Sequence, residues 1–210
     1  MTKNTTLLVA RHGNTFGLTD IVRRLGLTDV PLVESGLEQG RKLGNYLKQH
    51  NLIPDVIFVS NLKRTQQTAE QALKILGLQI LTEKLDMFNE INYGPDENQP
   101  EEKVVERLGK ETIKAWDESA IVPNGWKVDP QEIIQNWKLF SEDLLKKYAD
   151  KIILVVTSNG IARFAPYLTG NFEDFSKTHG IKISTGALCI FEHKPKAKTW
   201  TCIDWNIKPV

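Results

Sequence analysis

Near the start of the sequence an arginine and a histidine stand side by side ahead of a glycine: Arg11-His12-Gly13, followed by Asn14 and Thr15. A guanidinium presents a planar fork suited to two oxygens of one phosphoryl group. An imidazole beside it can act as nucleophile, base or simple donor. Thr15 brings a hydroxyl that can donate to the same anion. A second fork, Arg64, and a Ser158-Asn159-Gly160 turn lie far along the chain. Gly13 and Gly160 each follow a polar side chain directly, which permits a sharp turn and close approach of backbone N–H groups to an anion. Together these residues describe a site for a phosphoryl group with His12 in attacking position.

They converge only if the intervening elements bring them together. Residues 6–10 read as a buried strand ending at Arg11. Ser35 and Glu38 have capping-box spacing for a helix whose apolar stripe is Leu43, Tyr46 and Leu47. Residues 56–59 form a second buried strand ending at Ser60, and a helix over about 62–76 carries Arg64 in its first turn and stops at Gly77. Residues 78–81 suit a third strand. Asp129 and Pro130 cap a long helix that buries Ile134, Trp137 and Leu144. Residues 152–156 are apolar without interruption, as in a parallel strand covered on both faces. A helix over 161–168 and a hairpin from 187–192 and 199–205 close the chain.

This alternation predicts a three-layer α/β/α fold with a mostly parallel central sheet. In such sheets the ligand crevice lies outside the carboxyl ends of the strands, where Arg11, Arg64 and Asn159 all fall. Residues 87–128 break the pattern. They hold an acidic run over 96–102 and two tryptophans, Trp116 and Trp126, and read as a lid-like excursion inserted in a single domain.

The chain has 210 residues, 27 Lys+Arg against 26 Asp+Glu, and a formal charge of +1, so nucleic-acid binding driven by basic charge is not expected. Its longest apolar run, residues 152–156, is far short of a membrane span. The apolar run over 7–10 is too short for a signal peptide and meets Arg11 at once, which favours a cytoplasmic location. Cys189 and Cys202 lack metal-site spacing and read as thiols of a reducing compartment.

The segment Leu8-Val9-Ala10-Arg11-His12-Gly13-Asn14-Thr15 resembles the LVRHGxT signature of the histidine phosphatase superfamily, the phosphoglycerate mutase-like proteins. Residues 29–39, 60–69 and 155–160 are similar to its D-x-P-L-T, S-x-L-x-R-A-x-Q-T-A and V-V-S-H-G segments, in that order. The resemblance implies attack by His12 on phosphorus to form a phosphohistidine. It implies that Arg11 and Arg64 hold the phosphoryl oxygens and that a carboxylic acid after the third strand protonates the leaving alkoxide. Glu90 fits that acid; Glu83 is a second candidate, and the downstream Gly94 favours Glu90. The scheme requires neither metal nor cofactor, and its partner is a small phosphorylated metabolite.

Two positions depart from the signature. Asn159 stands where the family has its second histidine; an amide can still donate a hydrogen bond but cannot carry charge or a proton. A phosphomonoester hydrolase is the expectation, with a weakened or inactive phospho-ligand binder as the alternative. Leu18 replaces an Asn found in many relatives, with Thr19 or Asp20 as substitutes if the loop shifts. The basic-aromatic run by which true mutases hold a triose phosphate has no counterpart over 95–128, which favours a hydrolase. The acidic run over 96–102, if it faces the pocket, disfavours a highly anionic substrate. His179, placed in a loop near the site edge, is a further donor to weigh; the tryptophans are expected to serve packing.

Overall fold

The computed structural model describes residues 3–210. Six strands form one sheet in the order β3-β2-β4-β1-β5-β6: β1 (Thr5–Arg11), β2 (Val56–Val59), β3 (Thr82–Lys84), β4 (Ile152–Thr157), β5 (Leu188–His193) and β6 (Thr201–Ile207). The first four run parallel, and the closing β5–β6 hairpin is antiparallel. Side chains of a strand alternate between faces, and here both faces are covered. Leu7 and Val9 point into a core with Trp137, Phe140 and Leu144 of helix α5 (Pro130–Lys147). Leu8 and Ala10 point the other way, onto Leu43 and Leu47 of α1 (Glu34–Gln49) and Ala69 and Ala72 of α2 (Lys63–Leu76). Unbroken apolar runs in β1 and β4 thus produce the helix–sheet–helix layering.

Local signals held where they were strongest. Asp129 caps α5 by accepting from the backbone N–H groups of Gln131 and Glu132, and Gly77 ends α2 with a left-handed φ of 67°. Elsewhere the structure differs. Helix α1 starts one residue before Ser35, with Val33 at the N-cap and no side-chain cap, because the Val33 carbonyl already accepts from Gly36 and Leu37. The third strand falls at Thr82–Lys84 rather than 78–81, since residues 78–81 carry the chain from the Gly77 turn up to the register of Ile57 with Thr82. The helix expected over 161–168 is a single turn, α6 (Asn159–Ala162), and then a 3-10 segment, Ala165–Thr169. Pro166 explains the break, having no N–H to give and a ring that clashes with an α-helical carbonyl behind it.

The excursion contains two 3-10 turns (Asp86–Phe88 and Gly94–Asp96) and two helices, α3 (Glu101–Leu108) and α4 (Lys110–Ser119). It is fastened internally by buried Asp96, whose carboxylate accepts from Arg107 and from Trp126 Nε1 at 2.7 Å. Helix α7 (Phe172–His179) was not foreseen; His179 ends it, exposed and stacked on Phe175. Cys189 and Cys202 are free thiols, and burial pushes Cys202 up to about 12. Among the described residues no helix is long and apolar enough to cross a membrane, and no three His, Cys, Asp or Glu side chains group as metal ligands.

Candidate active site

Strands β1 and β4 lie parallel with Arg11 opposite Thr157, so the residues following each emerge at one sheet edge. The His12 backbone N–H donates to the Thr157 carbonyl at 3.0 Å, extending the pairing by one step. The chain then presses against the start of α1: a Cβ on Gly13 would lie 2.3 Å from the Gly36 carbonyl oxygen. Glycine serves backbone-on-backbone contact there. The Gly13 N–H is spent on Thr68 Oγ1 at 3.0 Å, so it is not offered to an anion.

His12 is 6% exposed, and its Nδ1 lies 2.7 Å from the Gly13 carbonyl oxygen. A carbonyl only accepts, so Nδ1 holds the proton and Nε2 keeps its lone pair. Burial, and then the charges of Arg64 and Arg11, hold the imidazole well below its ordinary value of 6.5. It is therefore neutral at pH 7.

A cavity of about 640 Å³ opens over this ring, with Arg11, His12, Thr15, Glu90, Tyr93 and Asn159 on its wall. Arg11 is anchored by Nη1 to the Ile183 carbonyl at 2.6 Å, and its Nε is buried without a partner. Burial lowers the pKa of its guanidinium from the ordinary arginine value, and the nearby Glu90 carboxyl works against that shift. Glu90 is held by two backbone N–H groups, Ile91 on Oε1 at 2.9 Å and Gly160 on Oε2 at 3.2 Å. A Cβ on Gly160 would stand 2.1 Å from that Oε1. Gly160 is thus a support for the carboxylate rather than a phosphate ligand, which corrects the reading of its N–H as free. Glu83 sits exposed on β3, with Tyr148 Oη 3.4 Å from its carboxylate, outside the cavity.

Asn159 accepts from the Ile183 N–H through Oδ1 at 2.9 Å. That contact settles the amide orientation and leaves Nδ2, with no partner among the described residues, as the donor of a cavity-lining group. Arg64 is where sequence and structure part most. It is fully buried, its Nη1 donates to the Thr28 carbonyl at 2.9 Å and its Nη2 to the Gly26 carbonyl at 2.6 Å. Its two Nη groups thus hold the loop after β1, its Nε is buried without a partner among the described residues, as Arg11 Nε is, and its charge acts on His12.

Two side chains of the site were missed. Tyr93 is buried on the cavity wall beside Glu90, with its phenol pKa raised by burial. Arg163 is wholly buried one turn after Asn159, its Nε on the Asn159 carbonyl at 3.2 Å and its guanidinium 4.1 Å from the Trp116 ring centre. A lone arginine in the apolar stretch 161–168 was the available signal. Trp116 and Trp126 pack in the core, as expected. Leu18 projects fully into solvent at the cavity mouth, and Asp20 turns back to accept from the Gly17 N–H.

The sequence profile of the histidine phosphatase superfamily (branch 1) matches residues 7–208. The chain belongs to this superfamily. Among relatives, a 2,3-bisphosphoglycerate-dependent phosphoglycerate mutase of Rhodococcus jostii is 29% identical over 167 residues, 77% of this chain and 63% of its own. One from Bifidobacterium longum is 31% identical, matching 60% of this chain and 51% of its own length. The chain thus spans between half and two thirds of these relatives. In fold it is similar to a mycobacterial glucosyl-3-phosphoglycerate phosphatase (TM-score 0.77, 16% identity, 97% of this chain and 99% of that one). A phosphoglycerate mutase from Bacillus anthracis is comparable (TM-score 0.78, 21% identity, 98% and 94%). A phosphatase and a mutase thus share the fold of this histidine phosphatase superfamily chain.

Proposed function

We propose that the protein is a phosphomonoester hydrolase acting on a small phosphorylated metabolite through a phosphohistidine on His12. The observation that carries this reading is the Nδ1-to-Gly13 hydrogen bond, which leaves an unprotonated Nε2 in a cavity shared with Arg11, Glu90 and Asn159. The Nε2 lone pair attacks phosphorus as the P–O ester bond breaks, and Glu90 gives its proton to the leaving alkoxide. Water then attacks phosphorus, Glu90 takes its proton, and the P–N bond breaks to release phosphate and neutral His12. Arg11, Thr15 and the Asn159 amide donate to the equatorial oxygens, where fixed donors contribute most as charge redistributes. Arg64 and Arg163 add buried positive charge from behind the wall. The excursion over 87–128 supplies one side of the cavity.

Asn159 does not by itself argue for an inert binder, since its amide is already oriented as a donor. Hydrolysis of p-nitrophenyl phosphate by the wild type, with a fall of at least about 10³-fold in His12→Ala, is the expected result. Labelled phosphate trapped by quenching into alkaline detergent, which preserves the acid-labile P–N bond, should map to His12. Equal rates for the two proteins would leave only the binding reading.

A further inference from the structure

The cavity's walls differ between its two ends. At the phosphoryl end Arg11 lines the space with no carboxylate salt-bridged to it among the described residues. Farther out, three cations line the wall, and two of them, Arg24 and Lys182, already have a carboxylate. Arg24 is ion-paired with Glu101, and its guanidinium lies 5.3 Å from the Tyr93 ring centre and 5.2 Å from that of Trp126. Lys182 Nζ lies 2.6 Å from Asp117 Oδ2, while Asp117 Oδ1 faces buried Arg163 at 3.5 Å. Arg23, at the mouth, gives Nη1 to the Asn98 carbonyl at 2.8 Å and stands in solvent, where its charge is screened. Between these pairs the wall is apolar: Phe16, Leu18, Val22, Leu25 and Ile113 line it, with Leu18 108% and Val22 55% exposed. Apolar side chains left open to water beside a reactive group gain most when a ligand covers them.

We infer that the leaving group this site selects is an uncharged apolar alcohol, and that Glu101 and Asp117 set that choice by neutralising the cations a second anionic group would need. The inference rests on the hydrolase reading and narrows it to monoesters of apolar alcohols over bisphosphates and phosphocarboxylates. A distal carboxylate would have to compete with Glu101 for Arg24 and with Asp117 for Lys182. An alkyl chain has only to cover Leu18, Val22 and Ile113.

The test is the ratio of kcat/KM for hexyl phosphate to that for 3-phosphoglycerate. Both lose a primary alkoxide, so leaving-group chemistry does not separate them. The wild type should favour hexyl phosphate by at least about tenfold. Along ethyl, butyl and hexyl phosphates kcat/KM should rise by roughly threefold to fourfold per methylene. Glu101→Gln, which frees Arg24, should lower the hexyl-to-phosphoglycerate ratio about tenfold. Leu18→Ser, at a fully exposed position that cannot unfold the chain, should flatten the chain-length series. A wild-type ratio at or below one, or a ratio and series unmoved by both variants, overturns the inference while leaving the hydrolase standing. Absence of turnover on every substrate overturns both.

Discussion

At His12 the decisive quantity is which nitrogen carries the proton. The Gly13 carbonyl holds it on Nδ1, and burial between two guanidinium groups keeps a second proton off. Its Cε1 proton resonance should therefore titrate with a midpoint well below 6.5; a midpoint near 6.5 would contradict the buried, cation-flanked placement. The sign for stability follows from linkage. As pH falls through 6.5 the unfolded chain gains a proton that folded His12 refuses, so this contribution to stability is complete above 6.5 and declines on acidification until the folded pKa is passed. His12→Gln should flatten that part of the curve in denaturant titrations across pH. Asn159 gives a second prediction. Asn159→Asp keeps an oxygen for the Ile183 N–H but replaces a donor with a negative charge beside phosphate. Turnover should fall by about 10² to 10³-fold or more with the melting temperature little changed. Unaltered kcat would mean that Nδ2 does not meet the substrate.

Elements bring these side chains to one place through contacts no local pattern announces. The loop after β1 can cross α1 only where two glycine backbones touch, and the turn after β4 can receive Glu90 only because residue 160 has no Cβ. Gly160→Ala should drive the carboxylate from its two N–H donors and lower kcat about 10²-fold, as displacements of about an ångström do. Retained kcat, with Glu90 unmoved in a crystal structure, would show that the carboxylate position is not critical. Helix ends announced by Asp129 and Gly77 were legible because caps act within one turn. The N-cap of α1 lies two residues before the expected Ser35, because Val33, whose carbonyl starts the helix, has no side-chain signature. The helix expected over 161–168 gives way to a 3-10 segment at Pro166, whose missing N–H cannot continue an α-helical ladder.

For the molecule as a whole, the excursion matters because it closes one side of the cavity and is tied to the loop after β1. Glu97 Oε1 accepts from the N–H groups of Gly26 and Thr28 and from the Thr28 hydroxyl at 3.0, 2.9 and 2.6 Å. Arg24 pairs with Glu101 across the same seam. Asp96 holds the excursion's own fold through Arg107 and Trp126. Asp96→Ala leaves a buried indole N–H without its acceptor and should cost about 2 to 3 kcal/mol in chemical denaturation. It should also raise KM more than it lowers kcat, because the wall moves while His12 stays. A loss below about 0.5 kcal/mol would show that Asp96 does not latch this segment.

From the sequence alone came the layered fold, because alternating burial on two faces is written residue by residue into β1 and β4. So did the placement of Arg11, His12 and Asn159 at one sheet edge, because strand ends and the turns after them are local features. Partner choice was not available there. That Arg64 spends its fork on the Gly26 and Thr28 carbonyls, that Gly160 serves Glu90, and that Glu101 occupies Arg24 depend on which donors and acceptors meet across 38, 36, 70 and 77 positions of chain. Hydrogen-bond and ion-pair partners are selected by distance in the folded state, and only the tertiary structure fixes that distance.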